Sequence, residues 1–89
     1  MFTLNYPKTI AEALDILINI MLYEEKEFLK LAEEEDLSLL RNTFCKRIRI
    51  DFGLYEENYE LISNCKANNP EDASMIIVTA LWKRLKRLE

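Results

Sequence analysis

Apolar residues along this chain recur every three to four positions, the spacing that places them on one face of a helix. Ile10, Ala13, Leu14, Leu17, Ile20 and Met21 set up the first such row, with Glu12, Asp15 and Asn19 on the other side. Thr9 and Glu12 have the spacing of a capping box, so the helix is predicted to begin just after Thr9. Ile16, Ile18 and Leu22 widen the apolar arc beyond one stripe, as expected of a helix contacted from two directions. A short second helix is predicted within Tyr23 to Glu35, around Phe28, Leu29, Leu31 and Ala32, with no Gly or Pro to say whether it continues the first.

Leu37, Leu40, Phe44 and Ile48 form the core row of a third helix, predicted from about Asp36 to Asp51. Gly53 should end it, because glycine adopts the left-handed cap conformation cheaply, and Leu54 is expected to fold back against Ile48. A fourth helix is predicted over Glu57 to Asn64, burying Leu61 together with Tyr59, Ile62 and Cys65. The last helix has the plainest start: Asn69 as cap, Pro70 at the first helical position, Glu71 and Asp72 in the first turn. It is expected to run to the end of the chain, with Ala73, Ile77, Ala80, Leu81, Leu85 and Leu88 inward and Met75, Val78, Trp82 and Leu85 as a second row. The prediction is one all-α domain over residues 1–89, a compact bundle of four to five short helices without repeats.

Composition agrees with that pattern. Of the 89 residues, 49% are hydrophobic and 31% charged, enough for one core and a wet surface, while a single Gly and two Pro leave little for tight turns between strands. No apolar run is long enough to span a bilayer and no secretion signal is visible at the N-terminus, so the expected compartment is the cytoplasm. Cys45 and Cys65 are then expected to be reduced thiols that pack as small hydrophobes; their spacing fits no metal or redox motif.

The net charge of −4 conceals segregation. Acids crowd Glu24–Asp36, Arg41, Lys46, Arg47 and Arg49 follow, and Lys83, Arg84, Lys86 and Arg87 close the chain. A basic face of Arg41, Lys46 and Arg49 is a candidate contact for nucleic acid. Against it, acids at helix starts and bases at helix ends are what the helix dipole favours, and an acidic total repels a polyanion. The carboxylates at Glu24 and Glu27, and at Glu57 and Glu60, have the three-residue spacing used by helical metal sites, which would open a metal- or nucleotide-dependent activity, but no E-x-x-D partner follows them at a persuasive spacing. A solvated acidic face accounts for them.

Candidate chemistry is sparse. The chain has no His, which removes the commonest general base, the commonest zinc ligand, and Ser–His or Cys–His nucleophile pairs. One Gly rules out a glycine-rich phosphate loop. Cys45, with Arg41 and Arg49 along its row, would be an activated thiol only on an exposed face. These exclusions argue against an enzyme, and no cofactor is implied.

Ile48-Arg49-x-x-Phe52-Gly53-Leu54-Tyr55, then Asn58, Leu61 and Cys65, Asp72-Ala73-Ser74, and Ala80-Leu81-Trp82 with Leu85 resemble an uncharacterised family of small bacterial proteins. That family is marked by an IRN-x-FGLW segment and a DDAS…LW segment, and Thr9-Ile10-x-x-Ala13 also fits its opening. It carries His where this chain has Arg41, Gly at Thr43 and Cys45, Asn at Ile50 and Trp at Tyr55, so roles resting on that His or Asn do not transfer. The resemblance implies a helical fold without an assigned activity. Its matching polar positions are Arg49, Asn58, Asp72 and Ser74. Each also has a structural explanation: Arg49 pairing with a carboxylate or holding helix-end carbonyls, Asn58 capping the fourth helix, Asp72 and Ser74 favouring a first turn. The functional expectation is a protein-interaction module, acting on a partner or a second copy through surplus apolar surface, with Met75, Val78 and Trp82 on the last helix as the candidate interface.

Overall fold

The computed structural model describes residues 6–87, which form five α-helices and one 3₁₀ helix, with no strand among the described residues. The elements are α1 (Ile10–Ile20), α2 (Tyr23–Leu31), the 3₁₀ helix (Glu34–Leu40), α3 (Phe44–Asp51), α4 (Tyr59–Asn64) and α5 (Pro70–Arg87). The all-α prediction holds, and the helix count exceeds it by the division of the third helix. Leu88, predicted inward, lies outside the described residues.

Helix α5 is the post on which the other five elements pack; the others touch one another only slightly. Ala73, Ser74, Ile77, Val78, Leu81 and Leu85 form its buried face. Ala13, Leu14 and Leu17 come to it from α1, Leu29 from α2, Leu37 from the 3₁₀ helix, Cys45 and Ile48 from α3, and Leu61 from α4. A buried leucine of this kind, such as Leu81, contributes enough that truncation to Ala costs about 2–5 kcal/mol.

The helix ends follow side-chain chemistry. At α1 the Thr9 hydroxyl accepts from the Glu12 amide at 3.2 Å, but the Glu12 carboxylate accepts from the Lys8 amide at 2.8 Å and not from that of Thr9. The Ile10 amide is taken by the side-chain oxygen of Asn64, at the end of α4, at 2.7 Å. At α5 the Asn69 side-chain oxygen accepts from the Asp72 amide at 2.8 Å, as the sequence predicts. α1 and α2 are separate because Met21 and Leu22 are both extended and the Glu25 carboxylate accepts from the Leu22 amide, opening a new helix.

The third predicted helix is divided. Ser38 donates to the Glu35 carbonyl at 3.2 Å, and Thr43 donates to the Leu40 carbonyl from both its amide, at 3.1 Å, and its hydroxyl. Short polar side chains that compete for nearby carbonyls weaken a continuing α-ladder, so the chain tightens into 3₁₀ and turns before α3. Leu37 and Ile48 still reach the core, with Leu40 and Phe44 partly buried.

Gly53 ends α3 as predicted. Its φ is +67°, the Leu54 amide donates to the Arg49 carbonyl at 3.0 Å and the Gly53 amide to the Ile50 carbonyl at 3.3 Å, a Schellman cap that returns Leu54 to the core beside Ile48. A Cβ at this position would run into the Tyr6 ring. α4 ends the same way on Lys66, whose φ is +58°, with the Ala67 amide donating to the Ile62 carbonyl at 3.1 Å. α4 starts later than predicted, because Glu57 takes a positive φ of 68°, and Tyr59 faces out while Leu61, Ile62 and Cys65 are buried. Ile20, expected in the core row of α1, is also exposed. No helix among the described residues is long and apolar enough to cross a membrane.

Candidate functional site

Two features break the usual division of polar outside and apolar inside. The first is Arg49, in the last turn of α3 and only 5% exposed. Its Nε donates to the Tyr55 hydroxyl at 2.7 Å and one terminal nitrogen donates to the Ser74 Oγ at 3.1 Å. Ser74, fully buried in the first turns of α5, donates a hydrogen bond from its hydroxyl to the Glu71 carbonyl at 2.9 Å, which turns an oxygen lone pair toward the guanidinium. The Tyr55 ring, with its centroid 6.0 Å from the guanidinium carbon, caps the arrangement from the surface. No carboxylate pairs with Arg49 among the described residues. Hydroxyls and the C-terminal end of α3 hold its charge instead.

Of the four polar positions singled out from sequence, Arg49 and Ser74 therefore meet, and Asn58 and Asp72 stand apart. Asn58 is buried at the start of α4, but its side chain does not cap that helix. Its Nδ2 donates to the Pro7 and Phe52 carbonyls, both at 2.9 Å, tying the chain before α1 to the end of α3. Its Oδ1 has no hydrogen-bond partner among the described residues. Asp72 is exposed at the α5 start, where its carboxylate accepts from Asn69 Nδ2 at 3.2 Å. With Arg49 inside, Arg41, Lys46 and Arg49 do not form a shared basic face; only Arg41 and Lys46 are exposed. The described residues contain no group of three or more acids and cysteines placed to hold a metal, so Glu24, Glu27, Glu57 and Glu60 do not converge.

The thiols sit inside. Cys45 Sγ lies 3.4 Å from Met75 Sδ, and burial raises its pKa despite the opposing pull of the Ser74 contact, Arg49 and Arg41. Burial alone pushes Cys65 up to about 11. Neither is an activated nucleophile. Both cysteines are free.

The second feature is apolar surface left in the open, and it is not where the sequence placed it. Val78 is fully buried, Met75 is half-buried against Cys45, and half-buried Trp82 donates from its indole to the Ala32 carbonyl at 2.9 Å beneath Lys86. Val78 therefore offers no surface, and Met75 and Trp82 only part of theirs. Among the exposed apolar side chains, which also include Ile20, Leu22, Tyr23, Ile50, Tyr55 and Tyr59, a group is formed by Phe28 and Leu31 of α2, at 66% and 74%, and Leu39 of the 3₁₀ helix at 75%. They border a groove between α2 and the 3₁₀–α3 segment that has two adjoining depressions. One, of about 490 Å³, runs from Phe28 and Leu29 to Leu40 and Phe44, with Glu24, Glu25 and Arg47 at its edge. The other, of about 330 Å³, is enclosed by Leu31, Ala32 and Leu39, with Asp36 at its edge. Phe28 and Leu40 form the wall common to both. A sequence signal for this exists in retrospect: Leu39 and Leu40 are adjacent, so a single helical stripe cannot bury both.

No curated protein and no solved structure matches the chain. A family model described as a domain of unknown function (DUF6794) matches residues 6–85, which spans both the buried arginine and the groove, and the chain belongs to that family.

Proposed function

We propose that this protein is a non-enzymatic protein-interaction module whose contact surface is the groove between α2 and the 3₁₀–α3 segment. The observation that carries the reading is the grouping of exposed Phe28, Leu31 and Leu39 around two connected apolar depressions. A contiguous apolar surface with a polar border is what a partner-binding face looks like in a small protein. The lack of His and the raised thiol pKa values speak against nucleophilic catalysis.

The test compares the wild type with a Phe28→Ser/Leu39→Ser double variant, by light scattering over a hundredfold or so range of concentration and by capture from lysate. The expectation is that wild type either captures proteins that the variant loses, or shows a concentration-dependent mass that the variant abolishes. A strict monomer whose captured proteins are the same for both forms would refute the reading.

A further inference from the structure

We infer that the groove takes a basic amphipathic helix of a different protein: apolar side chains on one stripe, flanked by Lys or Arg. This rests on the groove being an interaction surface, and it names the chemistry of what fills it.

Three observations lead there. The groove is apolar inside and acidic at its border. Glu24 and Asp36 line the two depressions without a basic partner among the described residues, and Glu25 is only partly offset by Arg47 at 3.7 Å. Exposed Glu33, Glu34 and Glu35 extend the same negative field past the end of α2. An occupant with apolar residues alone would leave these carboxylates stripped of water without compensation, and one with acids would be repelled.

The groove also lies between helical elements, and the described residues have no strand. An extended peptide therefore has no sheet edge to join, whereas a helix can set successive apolar residues into two adjoining hollows either side of the Phe28–Leu40 wall. Finally, a second copy fits poorly. A two-fold contact would lay the same acidic border against itself. A head-to-tail contact through the basic end of α5 has little to offer among the described residues: Leu85 is buried, Arg84 is engaged with Asp15, and Lys86 donates to the Lys30 carbonyl at 2.8 Å.

The experiment uses the isotope-labelled full chain and three synthetic 16-residue or so peptides. The first has Leu at helical i, i+3, i+4, i+7 spacing and Lys elsewhere. The second replaces each Lys by Glu, and the third keeps Lys and replaces each Leu by Ser. The Leu/Lys peptide should shift the amide resonances of Phe28, Leu40 and Phe44, bind about tenfold or more tightly than the other two, and weaken as salt rises. Phe28→Ser, and independently Leu39→Ser, should each reduce its affinity by about tenfold while the free protein melts unchanged.

If the Glu peptide binds the groove as tightly, the basic partner is wrong and the interaction surface survives. If the Ser/Lys peptide binds as tightly, attraction is charge alone and the amphipathic helix is wrong. If no peptide binds but wild type self-associates and Phe28→Ser abolishes that, the occupant is a second copy. If no peptide binds, the protein stays monomeric, and the double variant captures the same proteins as wild type, both the inference and the interaction module fall.

Discussion

The two flanks of α3 are built in opposite ways. Toward the start of α5 it buries an arginine, and toward α2 it leaves phenylalanine and leucine side chains beside open space. Arg49 lies about 200° around the helix from Arg47, so the two charges face different surroundings on one short element. On the Arg49 flank two guanidinium nitrogens have directed acceptors, Tyr55 at 2.7 Å and Ser74 at 3.1 Å. On the Arg47 flank the contact with Glu25 is loose, 3.7 Å between well-exposed groups, and is worth little to stability. The contrast separates what the fold needs from what it can spare. A charge is retained inside only where its partners are fixed, and an apolar side chain outside is one the core does not use.

The largest expected effect comes from attacking the packed flank. Arg49→Ala removes the guanidinium, leaves a cavity between α3 and α5, and frees the Ser74 lone pair in a site with no water-exposed surface of its own. The loss should be about 3 kcal/mol, read as a lower urea midpoint at unchanged slope. Arg49→Lys keeps the charge but cannot donate in the planar fork to Tyr55 and Ser74 together, so it should recover only part of that loss. If Arg49→Ala melts within about 0.5 kcal/mol of wild type, the buried arginine is not a structural element and the contrast between the flanks fails.

Much of this architecture is legible in the sequence because it depends on neighbours along the chain. The starts of α1 and α5 are written in Thr9 and in Asn69–Pro70, and the end of α3 in Gly53, since capping needs only groups within a few residues. The missed points depend on distant or finely balanced contacts. Whether Ser38 and Thr43 break a helix turns on small preferences for one carbonyl over another. Lys66 caps α4 in a conformation that sequence would assign to glycine. Ser74, the buried partner of Arg49, stands 25 residues away, so the burial of the arginine could not be read from its own row. Above all, the excess of apolar residues was evident but its location was not. Val78 is buried, Met75 and Trp82 are half-buried against Cys45 and Ala32, and the most exposed leucine and phenylalanine side chains, Leu31, Leu39 and Phe28, lie at the groove.

A smaller effect comes from the thiols, which tie the core to pH. Both native pKa values lie above the ordinary value of 9.0, Cys65 at about 11, because burial penalises the thiolate. In the unfolded chain these thiols lose protons near pH 9, while the native state keeps them, so the unfolded state binds fewer protons and stability falls as pH rises. The contribution is fully present below about pH 9 and is lost progressively by about pH 11 for Cys65. Urea melts at pH 8, 9 and 10 should show wild type losing stability more steeply than Cys65→Ala over the same range. Equal slopes would mean that Cys65 ionises in the native protein, and hence that the core beside α4 admits water.

The smallest effect on stability is the most informative one for function. Phe28 is 66% exposed, so its ring contributes little that the unfolded chain lacks, and Phe28→Ser should shift the melting free energy by no more than about 0.5 kcal/mol. Serine and phenylalanine have similar helix propensities, so at one surface site of α2 the exchange itself costs no more than a few tenths of a kcal/mol. The prediction is therefore asymmetric: near-zero change in a urea melt, together with loss of whatever the groove captures. A loss of 2 kcal/mol or so would place Phe28 in the core, close the groove in solution, and remove the difference between the flanks from which the function was argued.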